Sequence, residues 1–413
     1  MANATKESIA IIGGGVAGLT AAYLLHETYD ITLYEKDSRL GGNAYTYRTP
    51  DGDDIDISVF AFMKQSYTNF FKLLGELGVE TMRFSLRGIG ATSYNLDTHE
   101  GYAFSPLSLR GFLPAHFRRA RSMAVSIGKG VELLDAGQLD GLSMEESLRL
   151  LPELTGDSYL HFVFMLCLTS SMSCDEFMRA PATLFFGKVK RHFTSGPGVF
   201  RLVKHRTRTY VDAMADRFRD RVVLNTEIRK VTRGDDGVTL RTDGGEEAPF
   251  NKVIFACPAD QALRMLDEPT ADERRLLGPW KYKDGLVVVH RDDAHFPPEP
   301  MRNLYCYLYT DRDGKIETSI NACYCKQKGV SKTSRFLGTQ HPNFPIREEL
   351  TDFQKVFRTP IFDADSVATI AELPTLNGQR HTYYCGSHFG MGLHEDAVTS
   401  AVDVAKDLGV DWT

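Results

Sequence analysis

The sequence predicts an α/β fold in which a Rossmann-like domain is interleaved with a second, α+β domain. Three observations carry that expectation: a strand-to-helix turn with G-x-G-x-x-G spacing near the start of the chain, an acidic residue closing the next strand, and further strand and helix signals in the middle and at the far end. At 413 residues the chain also exceeds what one hydrophobic core ordinarily supports.

The first element is "IAIIGGGVAGLTAAYLL" from Ile9. Four apolar strand formers precede Gly13, Gly15 and Gly18, and a helix-forming run opens with Val16 and Ala17. The first glycine allows the tight turn, the second lets backbone approach a pyrophosphate, and the third lets the helix pack closely on its strand. A phosphate then meets unsatisfied N–H groups at the positive end of the helix.

The second strand, residues 31–35, ends in Glu35, 22 residues after Gly13. At that distance a carboxylate accepts hydrogen bonds from a ribose hydroxyl and disfavours a 2′-phosphate, which argues against NADP and leaves NAD or FAD. Later strand signals fall at residues 222–224, 238–242 and 253–257, with a last one, "HTYYCG", starting at His381. Helical runs are expected at residues 18–25, 67–77, 199–218 and 397–408. Residues 1–62, 196–274 and 361–413 are thus assigned to the nucleotide-binding domain, and 63–195 and 275–360 to the second. "YLHFVFMLCL", residues 159–168, is too short to span a bilayer and is expected to be a buried helix.

Composition narrows the class. With 42% hydrophobic and 25% charged residues and a net charge of −6, the chain reads as soluble and globular, and no nucleic-acid partner is expected. Seven cysteines at scattered positions form neither a disulfide ladder nor a zinc pattern, so no metal is expected. Together with the absence of a signal-like leader, this predicts a cytoplasmic location.

The stretch "YEKDSRLGG" from Tyr34 separates the nucleotides. Glu35, Arg39, Gly41 and Gly42 spell E-x-x-x-R-x-G-G, in which Arg39 can make a forked phosphate contact and the paired glycines let the chain pass close to a ligand. In register with the upstream turn, this resembles the flavin-binding signature of the amine-oxidase, phytoene-desaturase and protoporphyrinogen-oxidase superfamily. The far end, "TYYCGSHFGMGLHEDAVTSAVDVA" from Thr382, resembles that superfamily's closing strand, flavin-contacting loop and last helix. More narrowly, the chain is similar to bacterial NAD/FAD-binding proteins associated with cyclopropane fatty-acid synthases. Two positions depart from the superfamily pattern: Ser58 stands in the glycine place of "DISVFAF", and Ser387 where an acid commonly follows Gly386.

The resemblance implies a glutathione-reductase-type FAD-binding domain. It assigns cofactor contacts to Gly13, Gly15, Val16, Ala17, Gly18, Glu35, Lys36, Arg39, Gly41, Gly42, Asn43, Ala44, Phe60, Ile228, Gly386, His394, Glu395 and Ala397. The start of the last helix is expected to aim positive charge at the N1/C2 side of the flavin. Candidate catalytic residues are His388 and His394, as proton-exchanging side chains, Glu395 as a base, and Tyr282. Lys281 and Lys283 are weighed as a lysine holding a water. Tyr305, Tyr307 and Tyr309 alternate in "NLYCYLY", so one tyrosine face is expected to point into a cavity or the core.

Residues 177–211 contain no acid but carry Arg179, Lys188, Lys190, Arg191, Arg201, Lys204, Arg206 and Arg208. A second basic stretch holds Arg110, Arg118, Arg119, Arg121 and Lys129 among Phe, Leu and Met. Such segregation suggests an anionic partner, and the second stretch an interfacial helix. The functional expectation is an FAD-dependent oxidoreductase dehydrogenating, or shifting a double bond in, a hydrophobic substrate with an anionic end, such as an acyl chain, by hydride transfer to flavin N5. Alternatives are an amine or amino-acid oxidase using O2, a non-catalytic lipid-escort protein of the same fold, and an NAD-dependent dehydrogenase. Oligomeric state is left open.

Overall fold

The computed structural model describes residues 6–83, 91–104, 114–168, 172–193 and 200–412. In chain order the principal strands are β1 (Ser8–Ile12), β2 (Asp30–Tyr34), β3 (Ala91–Asn95), β4 (Gly101–Phe104), β5 (Val222–Val223), β6 (Lys252–Phe255), β7 (Lys281–His290), β8 (Tyr305–Arg312), β9 (Lys315–Cys323), β10 (Leu337–Gln340), β11 (Thr351–Ile361) and β12 (Thr382–Tyr384). The helices that bear on the site are α1 (Val16–Leu25), α2 (Thr68–Glu76), α3 (Pro114–Asp135), α4 (Gly156–Leu168), α5 (Ala182–Phe193), α6 (Arg208–Ala215), α7 (Ala259–Met265) and α8 (His394–Asp407).

Strands β5-β2-β1-β6-β12 form a parallel sheet. Parallel sheets are covered on both faces and so read as continuous apolar runs. Here Ile9 and Ile11 pack toward α1 and α8, while Ala10 and Ile12 join the core that contains the antiparallel strands Ile228–Arg233 and Val238–Thr242. The first strand-turn-helix unit is therefore local, but its sheet is assembled from three distant parts of the chain.

The second sheet, ordered β11-β7-β10-β9-β8-β3-β4, is antiparallel except for the β8–β3 pair. The tyrosine face of β8 points into the core. Tyr307 and Tyr309 each lie 5.4 Å from Phe164 of α4, and Tyr305 stacks on Phe60. Residues 162–164 of α4 are fully buried, as expected of "YLHFVFMLCL". No helix among the described residues is long and apolar enough to cross a membrane.

Two expectations need correction. Residues 199–218 are not one helix. Phe200–Val203 is a strand pairing with Phe62–Met63 and Thr81–Arg83, and Arg206 turns through a left-handed conformation (φ +73°) before α6 begins. Partners more than a hundred residues away override the local helical pattern.

The acid-free basic stretch is also largely compensated in space. Arg191 pairs with Asp396 at 2.5 Å, Arg179 with Asp175 at 2.7 Å, Lys190 with Asp135 and Lys204 with Glu80. Arg206 and Arg208 donate to backbone carbonyls. Lys188 is enclosed, its Nζ 5.0 Å from the Phe185 ring, and burial pushes its pKa down to about 7. Segregation along the chain thus does not create a free cationic surface. Arg110, of the second stretch, lies outside the described residues.

Candidate functional site

A cleft of about 750 Å³ runs along the C-terminal edge of the parallel sheet, bounded on its other side by β7 and β11. Ligands in open α/β sheets bind at that edge. Its lining brings together most of the nucleotide-binding residues expected from sequence: Gly13, Gly15, Val16, Ala17, Glu35, Lys36, Arg39, Gly41, Gly42, Asn43, Ala44, Ile228, Gly386, His394 and Ala397.

The β1–α1 turn is shaped for close backbone approach. A methyl group on Gly18 would overlap the Gly13 carbonyl oxygen, so this glycine serves packing and does not itself line the cleft. Gly15 is the opposite case: a Cβ there would meet nothing within 4 Å. Gly15 is the N-cap of α1, no side chain caps it, and the first turn holds no acid. The orphan N–H groups of that turn are therefore available to an anion.

Glu35 accepts the Gly14 N–H at 2.7 Å through Oε2 and the Asp37 N–H at 2.9 Å through Oε1. Each oxygen retains a lone pair for a hydroxyl donor. Arg39 Nη1 donates both of its N–H groups to the carbonyls of Leu40 (2.9 Å) and Ala44 (3.2 Å) and Nη2 donates one to Gly42 (2.5 Å), so the expected fork from both terminal nitrogens is closed and one Nη2 N–H remains for a single contact. Arg39 Nε is buried with no hydrogen-bond partner among the described residues. The guanidinium thus braces the double-glycine turn and lies 3.8 Å from the centre of the Tyr45 ring.

The C-terminal wall changes the assignments most. Glu395 is a brace, not a base: it accepts from Asn69 N (2.8 Å), Phe70 N (2.9 Å) and Thr68 Oγ1 (3.3 Å), pinning the start of α2, and it does not line the cleft. Asp396 accepts the N–H groups of Met391 (2.9 Å) and Leu393 (2.8 Å). The positive end of α8 is therefore answered in part by its own acids.

His388 and His394 do line the cleft, but burial pushes both pKa values down to about 3. His394 sits among Phe62, Phe70 and Tyr210, its Nε2 3.1 Å from the Tyr210 hydroxyl, and His388 packs edge-on against Trp280. Neutral, enclosed imidazoles do not exchange protons near neutral pH. They do make the fold acid-labile.

An unfolded histidine binds a proton below about pH 6.5 that these two refuse until about pH 3. Stability thus falls as pH drops through that window. The melting temperature is expected to decline with falling pH over this range, and less steeply in His394→Gln. Equal slopes would contradict the assignment.

Tyr282 lines the cleft, but its hydroxyl accepts the Ala259 N–H at 2.9 Å at the start of α7, and burial raises its pKa, so it holds a helix rather than moving protons. Lys281 pairs with Asp363 at 3.1 Å and Lys283 with Glu176, and neither lines the cleft. Phe60 does not line it either, being packed with Leu202 and Leu304. Cys385 is fully buried, and burial pushes its thiol pKa up, which argues against a reactive thiol.

Sequence reasoning missed the opposite wall. Residues 355–358 and Pro360 of β11 line the cleft, with Lys355 paired to Asp37 at 3.1 Å and Arg358 to Asp260 at 3.0 Å. The alternation of β11 could have marked it as a strand, but its position over the nucleotide domain depends on pairing with β7.

Known proteins match this arrangement. The profile of the flavin containing amine oxidoreductase family matches residues 16–333. The Mycobacterium tuberculosis protein AofH, which carries the name of a flavin-containing monoamine oxidase, is 25% identical over 288 residues, covering 65% of this chain. That alignment spans 61% of the relative's own length, less than two thirds.

Among solved structures, a CLA-producing fatty acid isomerase from P. acnes superposes with a TM-score of 0.67 at 15% identity, over 97% of this chain and 98% of that one. Putrescine oxidase bound to putrescine does so with a TM-score of 0.70 at 16% identity, over the same shares. These two likenesses establish the fold. With the profile match covering most of the sequence, the chain belongs to the flavin containing amine oxidoreductase family.

Proposed function

We propose that the chain is an FAD-dependent oxidoreductase that dehydrogenates, or moves a double bond in, a largely hydrophobic small molecule such as an acyl chain. The observation that supports this reading most is the cleft's charge and shape. Six cationic side chains line it (Lys36, Arg39, Arg229, Arg264, Lys355, Arg358) against four carboxylates (Glu35, Asp37, Glu227, Asp284). Asp260, which pairs with Arg358 at 3.0 Å and with Arg264 at 3.9 Å, reduces that surplus to one, and the remaining positive charge suits a pyrophosphate. The open space over Gly15 fits the same ligand.

In this reading Val16 and Ala17 present backbone N–H groups to the pyrophosphate. Glu35 accepts from the ribose, Ile228 flanks the adenine, and Gly41 to Ala44 with Gly386, His394 and Ala397 border the flavin end. A flavin bound there supplies hydride acceptance. His388 and His394, held neutral, act as a rigid wall.

A second reading, an amine or amino-acid oxidase reoxidised by O2, is favoured by the name of AofH and by the likeness to putrescine oxidase. Mixing the purified protein anaerobically with linoleate or with putrescine separates the two. Flavin bleaching or a shifted double bond with linoleate supports the first reading. Bleaching with putrescine alone supports the second, and a colourless protein that binds linoleate unchanged supports lipid escort.

Peripheral lipid contact is part of the same proposal, and α3 is the surface that supports it. No acid occurs between Glu100 and Glu132. On its outward face Phe117 is 66% and Val125 42% exposed, and Arg118 and Arg121 have no ion-pair partner among the described residues. Sedimentation with phosphatidylglycerol vesicles should exceed that with phosphatidylcholine, fall with salt, and be lost in Arg118→Glu/Arg121→Glu. Equal sedimentation with both lipids removes this part.

A further inference from the structure

The Tyr210 hydroxyl lies 3.1 Å from His394 Nε2, and both side chains sit on helices whose starts are braced. Thr207, just ahead of α6, donates its N–H (3.1 Å) and its hydroxyl (2.8 Å) to the buried carboxylate of Asp56, and Tyr210 follows, fully buried, within the first turn. His394 opens α8, where Glu395 accepts from Asn69 and Phe70 and Asp396 from Met391 and Leu393. Phe62 and Phe70 pack against the same imidazole, their ring centres 5.3 and 4.8 Å from its own. The pair is therefore set in a rigid frame.

The hydrogen bonds of this pair fix the ring proton. The Tyr210 hydroxyl has no other hydrogen-bond partner among the described residues, and burial raises its pKa, so it keeps its proton. If it accepted from Nε2, its own O–H would be buried and unsatisfied, at a cost of about 1–3 kcal/mol. It therefore donates to Nε2. Burial keeps His394 neutral down to about pH 3, and a neutral imidazole has one N–H and one acceptor nitrogen. With Nε2 as the acceptor, the proton is on Nδ1.

Nδ1 itself has no hydrogen-bond partner among the described residues, yet it is not one of the enclosed polar atoms left unsatisfied. It is therefore accessible. The aromatic side chains cover the other sides of the ring, and His394 lines the cleft beside Gly392, Leu393 and Ala397.

We propose that His394 Nδ1–H is a preset hydrogen-bond donor to the bound flavin, held in that tautomer by Tyr210, and that it favours the reduced state of the ring. The proposal rests on the reading of the cleft as the FAD site, whose flavin end His394 borders, and adds one donor to that wall. Negative charge grows on the ring as it accepts hydride, so a fixed donor binds the reduced form more tightly and raises the reduction potential. Tyr210 is a positioning residue: it does not line the cleft and acts by selecting which nitrogen carries the proton.

The experiment reads the ring proton and the flavin potential separately. In the 15N–1H spectrum of histidine-labelled wild type, the His394 signals are those that His394→Asn or His394→Gln removes. They are expected to show a protonated Nδ1 and a bare Nε2, and Tyr210→Phe to lose that preference. The two-electron potential of the holoprotein should fall by about 30 mV in His394→Gln, whose amide reaches toward Tyr210 in place of Nε2. That shift is a tenfold loss of preference for reduced flavin. His394→Asn, whose amide stands in for Nδ1, should keep most of the wild-type potential.

A wild-type His394 protonated at Nε2 would overturn the proposal whatever the variants do to the potential. Nδ1 protonation that survives unchanged in Tyr210→Phe would remove the role given to Tyr210. Equal potentials in wild type and His394→Gln, at equal flavin content, would overturn the donor. A colourless wild type would instead overturn the reading of the cleft and with it the ligand named here, while the spectrum would still report the tautomer.

Discussion

Gly15→Trp is expected to yield a folded protein that has lost its flavin. The backbone at Gly15 (φ −72°) is one that any residue adopts, and a Cβ there meets no atom within 4 Å, so the fold has no objection to the substitution. The indole would instead occupy the space in front of the α1 N–H groups. Losing two charge-assisted hydrogen bonds to a pyrophosphate corresponds to about 4 kcal/mol, roughly a thousandfold in affinity. Gly13→Ala separates binding from folding, because Gly13 sits at φ +111° and its Cβ would come within 2.6 Å of Ala256 O. That variant should lose stability as well as cofactor. Flavin content and melting temperature of the two variants check the pair; full flavin occupancy in Gly15→Trp would contradict the binding mode.

The largest stability effect is expected at Glu273. Its carboxylate accepts from Arg233 (Nη2 at 2.9 Å, and Nη1) and from the Tyr384 hydroxyl at 2.6 Å, while Arg233 also donates to Glu268 O at 2.7 Å. The two charged side chains are 1% and 4% exposed, and the network ties the strand Ile228–Arg233 to the helix Ala271–Leu277 and to β12. Burial alone would raise the Glu273 pKa, but the bonds from Arg233 and Tyr384 hold it below the ordinary glutamate range. Its stabilisation is therefore present above that range and lost as pH falls through the depressed value.

Glu273→Leu alone leaves a buried guanidinium unpaired and should cost about 3–5 kcal/mol. Adding Arg233→Met should restore much of that loss, since two apolar side chains can replace a buried pair. Urea unfolding of the single and double variants gives the coupling. A double variant as unstable as the sum of the singles would mean that Arg233 and Glu273 act independently.

What was legible in the sequence was what is local in the chain. The β1–α1 turn, Glu35 at the end of β2 and the double glycine at 41–42 lie within one crossover, so their spacing along the chain fixes their spacing in space. Buried α4 was legible too, because its apolar run is continuous.

Assignments failed where a side chain's partner lies far along the chain. Glu395 reads as a helix-start acid and candidate base beside a flavin until Asn69 and Phe70 arrive, more than 300 residues upstream. Arg191 reads as part of a cationic face until Asp396 closes on it. The strand Phe200–Val203 reads as helix until the strands at 62–63 and 81–83 pair with it. Nor could the sequence locate β11 over the cleft, since that follows from the order of the second sheet.

The central claim is that one continuous cleft, built from the amino-terminal crossover, β11 and the carboxy-terminal loop, holds FAD. Its most direct test is the absorption spectrum of the purified protein, followed by mass spectrometry of whatever denaturation releases. The account predicts the blue-light absorption of oxidised flavin and FAD at close to one per chain. A colourless, cooperatively folded protein that takes up no FAD when the cofactor is added in excess would contradict it.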